Sequence, residues 1–291
     1  MSLYDSILIT GGNGMLAHAF RHLFTTQQIP FTAPARNELD ITSPDSLSAI
    51  FAKHRPTLVL NCAAYTKVDL AEQEEPLASS INGHALSTLS TLCHQHNTKL
   101  VHYSTDFVFD GSATAPYKPT DPPNPISAYG RSKLLGEQSI QSSPLKNHLI
   151  LRTAWVYGPN GACFPQTMLN AARANKPLRV VSDQIGTPTY TRDLASATLD
   201  LIDANATGLL HLTNSGQTNW HAFTQSILQE FNLPNPVDSI SSADWQKLRP
   251  QSAPRPSYSV LDTSDYTRLT GKSLRPWREA LHDYHLALSA E

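Results

Sequence analysis

Hydrophobic positions follow two patterns along the chain, that of buried strands and that of amphipathic helices. The first half of the chain switches regularly between these two patterns. The segments 7–9, 57–64, 99–105 and 148–153 each contain consecutive apolar residues and are typical of buried strands, with a further short strand at 30–34. Between them, segments 15–23, 46–54, 72–97 and 127–141 have the spacing of amphipathic helices. These repeated strand–helix units predict an α/β fold, a doubly wound parallel sheet of the Rossmann type.

The second half is less regular and predicts a smaller C-terminal lobe. It has short apolar runs at 178–181 and 208–212, and helical patterns at 192–204, 220–231 and 276–289. Proline-rich stretches at 116–125 and 250–256 are typical of loops over a cleft. We expect a dinucleotide-binding domain at 1–157 and a mainly substrate-binding lobe at 158–291, from which about 178–205 can return to the first domain.

A glycine cluster after the first apolar run predicts a nucleotide-binding turn. Gly12, Gly14 and Ala17 fit the dinucleotide fingerprint, in which the last position is glycine or alanine. Small residues here allow a tight strand-to-helix turn and bring the backbone close to a pyrophosphate, which the helix N-terminus then binds. The alternative is an ordinary turn, but the position after the first strand favours the nucleotide site.

Tyr129 and Lys133 are four residues apart in the helical segment 127–141, which puts both side chains on one face. A phenol ionises near pH ~10 in water, and a nearby ammonium lowers that pKa toward the range of general acid–base catalysis. Ketone reduction needs such a group, because a proton must reach oxygen while hydride reaches carbon. The alternative is that Tyr129 and Lys133 are an exposed pair of side chains on the helix with no chemical role. The glycine turn argues against this alternative.

Composition excludes several classes of function. Lys and Arg number 22 against 24 for Asp and Glu, and a net charge of −2 gives no bulk attraction to nucleic acid or to an anionic membrane. We see no leader segment and no apolar run of bilayer length, so we expect a cytoplasmic protein. Three cysteines without CxxC spacing and twelve histidines without HExxH argue against a disulfide framework or a metal site.

Three predicted strand ends carry the remaining candidate chemistry. They are the segments 61–69, 104–111 and 152–158, each rich in small, polar or aromatic residues. Ligands of open α/β sheets bind at the carboxyl ends of the strands, near the point where strand order reverses. Each segment alone is compatible with an ordinary strand-to-loop transition. Together with the glycine turn and the tyrosine–lysine pair, they predict one site.

These residues resemble the extended short-chain dehydrogenase/reductase family and, within it, the dTDP-4-dehydrorhamnose reductases. The resemblance is carried by 104–111 (STDFVFDG), 129–137 (YGRSKLLGE), 152–157 (RTAWVY) and 183–189 (DQIGTPT), with support from 36–42 (RNELDIT). It runs from about residue 6 to the last helix. It implies NADPH-dependent reduction of the C4 ketone of dTDP-4-dehydro-L-rhamnose to dTDP-L-rhamnose, a precursor for cell-surface polysaccharide.

The resemblance also implies a role for individual residues. Tyr129 would protonate the 4-oxygen, Lys133 would bind the nicotinamide ribose, and Thr105 would hydrogen-bond the substrate carbonyl. The other cofactor-binding positions that it implies are Gly11, Gly14, Met15, Leu16, Asp40, Ile41, Ala63, Ala64 and Tyr65. The substrate-binding positions that it implies are Thr66, Val68, Thr105, Asp106, Trp155 and Arg255.

Two expectations concern the cofactor and the assembly. The second predicted strand leads to Arg36, which favours the 2′-phosphate of NADPH, although Glu38 or Asp40 could reach a ribose and leave NADH usable. A solvated loop charge is the alternative for Arg36. Some members of the family bind magnesium between subunits through glutamates, where this chain has Ala19 and Arg192. The resemblance therefore implies a monomer, or a homodimer without a metal bridge.

Two rival functions stay open on the sequence. A nucleotide-sugar epimerase or dehydratase would retain NAD tightly and use further acid–base residues near Thr105. A non-catalytic regulatory protein would resemble the beta subunit of methionine adenosyltransferase. The Thr105–Asp106 pair and the segment around Trp155 favour the reductase, and the intact Tyr129 and Lys133 argue against a purely structural role.

Overall fold

A central parallel sheet organises the molecule, in a computed structural model that describes residues 6–289. The strands are β1 (Ile7–Thr10), β2 (Phe31–Thr32), β3 (Leu58–Asn61), β4 (Lys99–Thr105), β5 (His148–Thr153), β6 (Val156–Tyr157), β7 (Leu178–Val181), β8 (Ile185–Gly186), β9 (Thr189–Tyr190), β10 (Gly208–His211), β11 (Thr218–Asn219) and β12 (Val237–Ile240). Six of them form the main sheet in the order β10-β5-β4-β3-β1-β2, with every neighbouring pair parallel.

Helices cover both faces of this sheet. They are α1 (Met15–Thr26), α2 (Pro44–His54), α3 (Val68–Ala71), α4 (Glu75–Ser79), α5 (Ala85–Gln95), α6 (Ala128–Gln141), α7 (Phe164–Arg173), α8 (Thr191–Asp203), α9 (Trp220–Glu230), α10 (Ser242–Leu248), α11 (Ser264–Thr270) and α12 (Trp277–Ser289). The predicted doubly wound parallel sheet is confirmed. Strand order reverses at the β1–β3 junction, the position at which such folds bind ligands.

Alternation along β1 shows how the two faces are filled. Ile7 and Ile9 join the core beneath α1 and α8, whereas Leu8 joins the opposite core beneath α2, α5 and α6. Successive residues of a strand point to opposite faces, so both faces of a central strand must be apolar when both are covered. All four residues of β1 are buried, which explains the uninterrupted apolar run in the sequence.

The smaller lobe is built from short strand pairs and an aromatic core. β7 pairs with β12, β8 with β11, and β6 with β9. Helices α7, α9 and α12 pack around a core cluster that includes Phe223, Trp277 and Tyr284. Of the segment 178–205, β7 belongs to this lobe, while α8 packs on α1 and leads to β10 in the main sheet. The functional division between the two domains stays a prediction.

The helix predicted at 72–97 is present over Glu75–Gln95, with a π-helical turn inside it. α4 ends at Ser79, a π-helical turn spans Ser80–His84, and α5 follows. The buried Asn82 side chain in this turn accepts a hydrogen bond from the Tyr65 N–H at 2.8 Å and donates to the Tyr65 carbonyl at 3.0 Å. These two hydrogen bonds hold the π-helical turn, which contains one residue more than an α-helical turn. Such turns are frequent at functional sites.

Within residues 6–289, no helix has the length and apolar character needed to cross a bilayer.

Candidate active site

The glycine turn forms a backbone cradle at the β1–β3 junction. Gly11 adopts a left-handed φ of +63°, and a Cβ atom there would lie 2.8 Å from the Cα of Ala63, so only glycine fits. The Gly14 N–H donates to the Gly11 carbonyl at 2.8 Å, and α1 begins at Met15 without a side-chain cap. Its first amides are therefore available to an anion at the positive end of the helix, as a pyrophosphate requires. Leu16 is half-buried and packs on the core under α1.

The loop after β2 places a free cation beside two occupied carboxylates. Arg36 is exposed, and among the described residues its side chain has no hydrogen bond or ion pair. Asp40 accepts hydrogen bonds from the hydroxyl and N–H of Thr42, at 2.7 and 2.9 Å, and these lower its pKa. Glu38 accepts from the Ala35 N–H at 2.7 Å. The loop thus offers a guanidinium, rather than a carboxylate, to a ligand at the adenosine end.

Four further predicted cofactor-binding residues differ in their exposure to solvent, which limits how each could contact a cofactor. They are Ile41, Ala63, Ala64 and Tyr65. Ile41 is buried in the core, whereas Ala63 is half-buried and Ala64 is exposed. The buried Tyr65 donates its hydroxyl to Glu74 at 2.7 Å. The Tyr65 side chain is therefore hydrogen-bonded within the protein, as its backbone N–H and carbonyl are with Asn82. Asn82, which holds that backbone, was not identified from the sequence, because nothing in the periodicity of its helix marks it.

Tyr129 lies at the carboxyl end of β4, next to Thr105 and Asp106. The N-terminus of α6 is capped by Ser127, whose hydroxyl accepts from the Gly130 N–H at 3.1 Å. A Cβ atom on Gly130 would lie 2.2 Å from the Phe107 carbonyl oxygen, so glycine allows the close approach of α6 to this strand end. Through this approach the structure brings together the three residues that the sequence placed on two different elements.

The pKa of Tyr129 shifts in the direction opposite to the one predicted. Burial, followed by the negative charge of Asp106, raises it to about 12, while hydrogen bonding with Thr105 acts against the shift. The amine of Lys133 instead donates to the Tyr103 carbonyl at 2.5 Å, and burial lowers its pKa to about 8. The prediction that Lys133 lowers the pKa of Tyr129 is wrong for this geometry.

Asp106 is a buried carboxyl with one unsatisfied oxygen. It is 2 % exposed, its Oδ1 accepts from the Thr105 hydroxyl at 3.0 Å, and its Oδ2 has no partner among the described residues. Burial raises its pKa to about 6, and the side chains of Ser259 and then Thr105 act against this shift. A buried polar atom without a partner next to a phenol and a hydroxyl marks a place where a polar ligand can bind.

The loop that carries Arg255 reaches the end of β3. Its guanidinium donates to the Asp69 carboxylate at 2.8 Å and to the Ala253 carbonyl at 3.0 Å. Asp69 follows Val68, which is half-buried at the start of α3, and Thr66 before it is exposed. The structure therefore brings Arg255 from the second half of the chain beside the segment 66–69 of the first half.

Trp155 is held in a strained conformation between two neighbours. Its φ of +46° is left-handed, which is rare for a bulky residue and is typical of functional sites. Its ring stacks on Trp220 with a centroid distance of 3.5 Å, and a Cβ atom on Gly186 would lie 2.6 Å from it. Trp220 was not identified from the sequence, because the stacking depends on α9 docking beside β6.

A buried ion pair supports the floor of the site. Arg152 donates two hydrogen bonds to Glu137, at 2.9 and 2.7 Å, and the Ser104 hydroxyl donates to the same carboxylate at 2.5 Å. Both charged side chains are at most 3 % exposed. The pair ties α6 to the ends of β4 and β5, and therefore fixes the helix that carries the phenol.

Comparison with known proteins gives one family over nearly the whole chain. The family model described as RmlD substrate binding domain matches residues 5–289. A probable dTDP-4,6-dihydroxy-2-methyloxan-3-one 4-ketoreductase of Streptomyces antibioticus is 40% identical, over 95% of this chain and 93% of its own. A dTDP-4-dehydrorhamnose reductase of Burkholderia thailandensis is 35% identical, over 94% of this chain and 96% of its own.

A solved structure has the same architecture. The crystal structure of a dTDP-4-dehydrorhamnose reductase from Bacillus anthracis, in complex with NADP, superposes with a TM-score of 0.92. It is 32% identical, and the match covers 98% of this chain and 100% of that chain. The family resemblance read from the sequence is therefore confirmed.

Proposed function

Because the chain belongs to the RmlD substrate binding domain family, we propose that it reduces the C4 ketone of dTDP-4-dehydro-L-rhamnose to dTDP-L-rhamnose with NADPH. The observation that carries the proposal is the meeting of Tyr129, Thr105 and Asp106 at one strand end. The relatives named as dTDP-sugar reductases, and the related structure in complex with NADP, support the substrate and the cofactor.

The backbone cradle fits a dinucleotide, since a side chain at Gly11 would fill it and the N-terminus of α1 is uncapped. Gly11, Gly14 and Met15 would hold the pyrophosphate, and Arg36 the 2′-phosphate. When bound, the nicotinamide supplies hydride to the carbonyl carbon. Lys133 would bind the ribose hydroxyls, with its amine held near the end of β4 by the Tyr103 carbonyl.

Tyr129 supplies the proton. A pKa of about 12 keeps the phenol protonated at neutral pH, so that it acts as an acid when negative charge develops on the carbonyl oxygen. The Thr105 hydroxyl, which donates to Asp106 in the ligand-free protein, would turn to donate to the same oxygen and orient the carbonyl for attack. Transfer of one proton from the phenol and one hydride from the cofactor completes the reduction of the ketone to an alcohol.

Recognition of the nucleotide sugar would come from both halves of the chain. Arg255 offers a guanidinium fork, which suits the oxygens of a diphosphate. Trp155 and the half-buried Val68 give the sugar an apolar wall, and Asp106 offers an acceptor to its hydroxyls. The C-terminal lobe would then hold the substrate over the cofactor.

The proposal is tested by NADPH oxidation with a panel of 4-keto sugars on dTDP and on UDP. We expect turnover with dTDP-4-dehydro-L-rhamnose, and a Tyr129→Phe variant whose kcat falls by about 10²- to 10⁴-fold while its Kd for NADPH is unchanged. Tyr266→Phe, which removes a phenol that is hydrogen-bonded to Asp200, is the matched control and should keep the wild-type rate.

Two results would contradict the proposal. A Tyr129→Phe variant with the wild-type rate would remove the phenol from the mechanism. Purified protein that retains NAD tightly and isomerises the sugar without net oxidation of NADPH would instead favour an epimerase.

A further inference from the structure

A chain of four buried polar side chains runs across the sheet beneath the proposed nicotinamide site. The Thr10 hydroxyl donates to Asn61 Oδ1 at 2.5 Å, Asn61 Nδ2 lies 2.9 Å from His102 Nδ1, and His102 Nε2 lies 3.3 Å from Lys133 Nζ. All four side chains belong to residues that are at most 2 % exposed. They come from β1, β3, β4 and α6, so the network joins the glycine turn to the lysine.

The hydrogen atoms of this network can be arranged in only two consistent ways. A neutral imidazole has one donor and one acceptor nitrogen. When the Asn61 amide nitrogen faces His102, Nδ1 must accept, so Nε2 carries the proton and points at Lys133. The lysine must then accept it as an uncharged amine.

The second arrangement exchanges these roles. When the Asn61 amide oxygen faces His102, it accepts from Nδ1–H, and Nε2 becomes free to accept from the ammonium of Lys133. The amide nitrogen then donates to the Thr10 hydroxyl oxygen. Protonation of Lys133, the ring tautomer of His102 and the orientation of Asn61 are therefore linked through contacts that leave no room for solvent.

The charged and titratable groups that act on Lys133 lie on α6, β5 and β4. On α6 itself, Glu137 favours the ammonium, although its carboxylate is bound by Arg152 of β5. On β4, burial and the neighbouring Lys133 hold the pKa of His102 well below its usual range, so that the ring stays neutral. The neutral imidazole is thus the group whose hydrogen-bonding role can change with the lysine.

We propose that His102 is a positioning residue for Lys133, which holds the ammonium through Nε2 and changes its ring tautomer when the lysine loses its proton. The catalytic consequence rests on the proposed function, whereas the coupling itself belongs to the protein without ligands. Loss of the ammonium above pH about 8 would weaken ribose binding and slow ketone reduction. His102 would set the pH at which this happens.

The chain offers a matched pair of substitutions. In His102→Gln, the longer amide reaches the place of Nε2 and its oxygen can accept from Lys133. In His102→Asn, the shorter amide reaches only Asn61 and leaves the ammonium without that acceptor. A third variant, Asn61→Asp, places a carboxylate where only an acceptor for Nδ1–H is possible, which favours the charged lysine.

The experiment measures kcat against pH with saturating NADPH and ketone for the wild type and the three variants. We expect His102→Asn to lose about tenfold in kcat and to move the alkaline limb down by about one pH unit, since a hydrogen bond to a charge is lost. His102→Gln should stay near the wild type, and Asn61→Asp should move the limb upward. Thermal unfolding of each variant shows whether it is folded.

Nitrogen-15 NMR of the histidine rings in the ligand-free protein gives a readout that does not depend on activity. We expect the His102 signal, identified by its loss in His102→Gln, to change from the Nδ1–H to the Nε2–H tautomer as pH rises through about 8. A single tautomer over this range would overturn the inference. The inference would also be overturned if the alkaline limb of the kcat–pH profile lay at the same pH in His102→Asn, Asn61→Asp and the wild type.

These results separate the inference from the proposed function. If the wild type reduces none of the ketones, the proposed function fails, and the tautomer measurement together with the pH dependence of NADP⁺ binding still decides the role of His102. If His102→Asn does not fold, Asn61→Asp and the tautomer measurement decide it. A purely structural role would lower the unfolding temperature of both His102 variants alike and leave the limb unchanged.

Discussion

The Thr105 hydroxyl donates to one oxygen of the buried Asp106 carboxyl at 3.0 Å, while the second oxygen has no partner within residues 6–289. Burial raises the pKa of Asp106 from 3.8 to about 6. The folded state therefore binds this proton more tightly than the unfolded chain does. The resulting stability is fully present below pH 3.8 and is lost as pH rises through 6.

Asp106→Asn should accordingly stabilise the protein at pH 7, by up to about 3 kcal/mol in the free energy of unfolding, because it removes a buried charge. The difference should disappear below pH 3.8, where the wild-type carboxyl is protonated in both states. Urea unfolding at several pH values measures it. The same variant should lose activity, because an acceptor for the sugar is weakened.

Asp110→Asn is the control of opposite sign. Its carboxylate accepts from the Ser112 N–H and hydroxyl, from Asn124 and from Tyr117, and these hydrogen bonds hold its pKa well below the usual range. This substitution should destabilise the protein at pH 7. If Asp106→Asn were also less stable than the wild type at pH 7, the buried charge of Asp106 would not be what destabilises the wild-type protein.

Arg36 should determine cofactor preference. Its guanidinium is exposed, and the neighbouring carboxylates are bound within their own loop. We expect Arg36→Ala to lower the ratio of kcat/KM for NADPH to that for NADH by about tenfold, since a charge-assisted contact to phosphate is lost. Arg179→Ala, which removes an exposed arginine from β7, should leave the ratio unchanged. An unchanged ratio in Arg36→Ala would mean that Arg36 is a solvated loop charge that does not contact the cofactor.

Arg255 should act on the substrate and not on the cofactor. Arg255→Ala should raise KM for the dTDP-sugar by about tenfold and leave KM for NADPH as in the wild type, because a phosphate contact is removed. Asp69→Asn weakens the carboxylate that competes for the guanidinium, and therefore should not raise KM. Initial rates at varied sugar concentration measure both. Equal KM values in Arg255→Ala and the wild type would exclude the contact.

Two ion pairs on α6 should contribute very differently to stability. Glu137→Ala leaves Arg152 buried without a counter-charge and should reduce the free energy of unfolding by about 3–5 kcal/mol. Glu75→Ala breaks the pair with Arg131, whose side chains are 40–45% exposed, and should reduce it by less than about 1 kcal/mol. Denaturant titration compares the two. Similar losses would mean that burial does not distinguish these pairs.

The elements that the sequence located best are those with a dense local signal. β4 and β5 match the predicted runs 99–105 and 148–153, because both faces of these strands are buried and each run contains consecutive apolar residues. The π-helical turn at Ser80–His84 has no such signal, since it depends on hydrogen bonds between Asn82 and a loop that follows another strand. The place of β10 in the main sheet depends likewise on a distant partner.

The site residues likewise divide into those with a local sequence pattern and those whose role depends on tertiary contacts. Tyr129 and Lys133 were found by their spacing along one helix, and the glycine turn by its short motif. The pKa of Tyr129 was predicted in the wrong direction, because its main influences, burial and Asp106, arise from tertiary contact. His102 is a polar residue inside a buried strand, which was a visible signal, but its contact with Lys133 requires α6 to lie on β4.

The route of the chain through β10 determines how separable its two halves are. The polypeptide leaves the main sheet after β5, contributes to the lobe, and returns to lay its sixth strand along β5. A fragment ending at residue 157 would expose the edge of β5 and uncover α1, whose partner α8 comes later. The protein is thus not a pair of interchangeable modules, because segments of the lobe lie both before and after β10, and a recombinant chimera cannot exchange the lobe as one continuous piece.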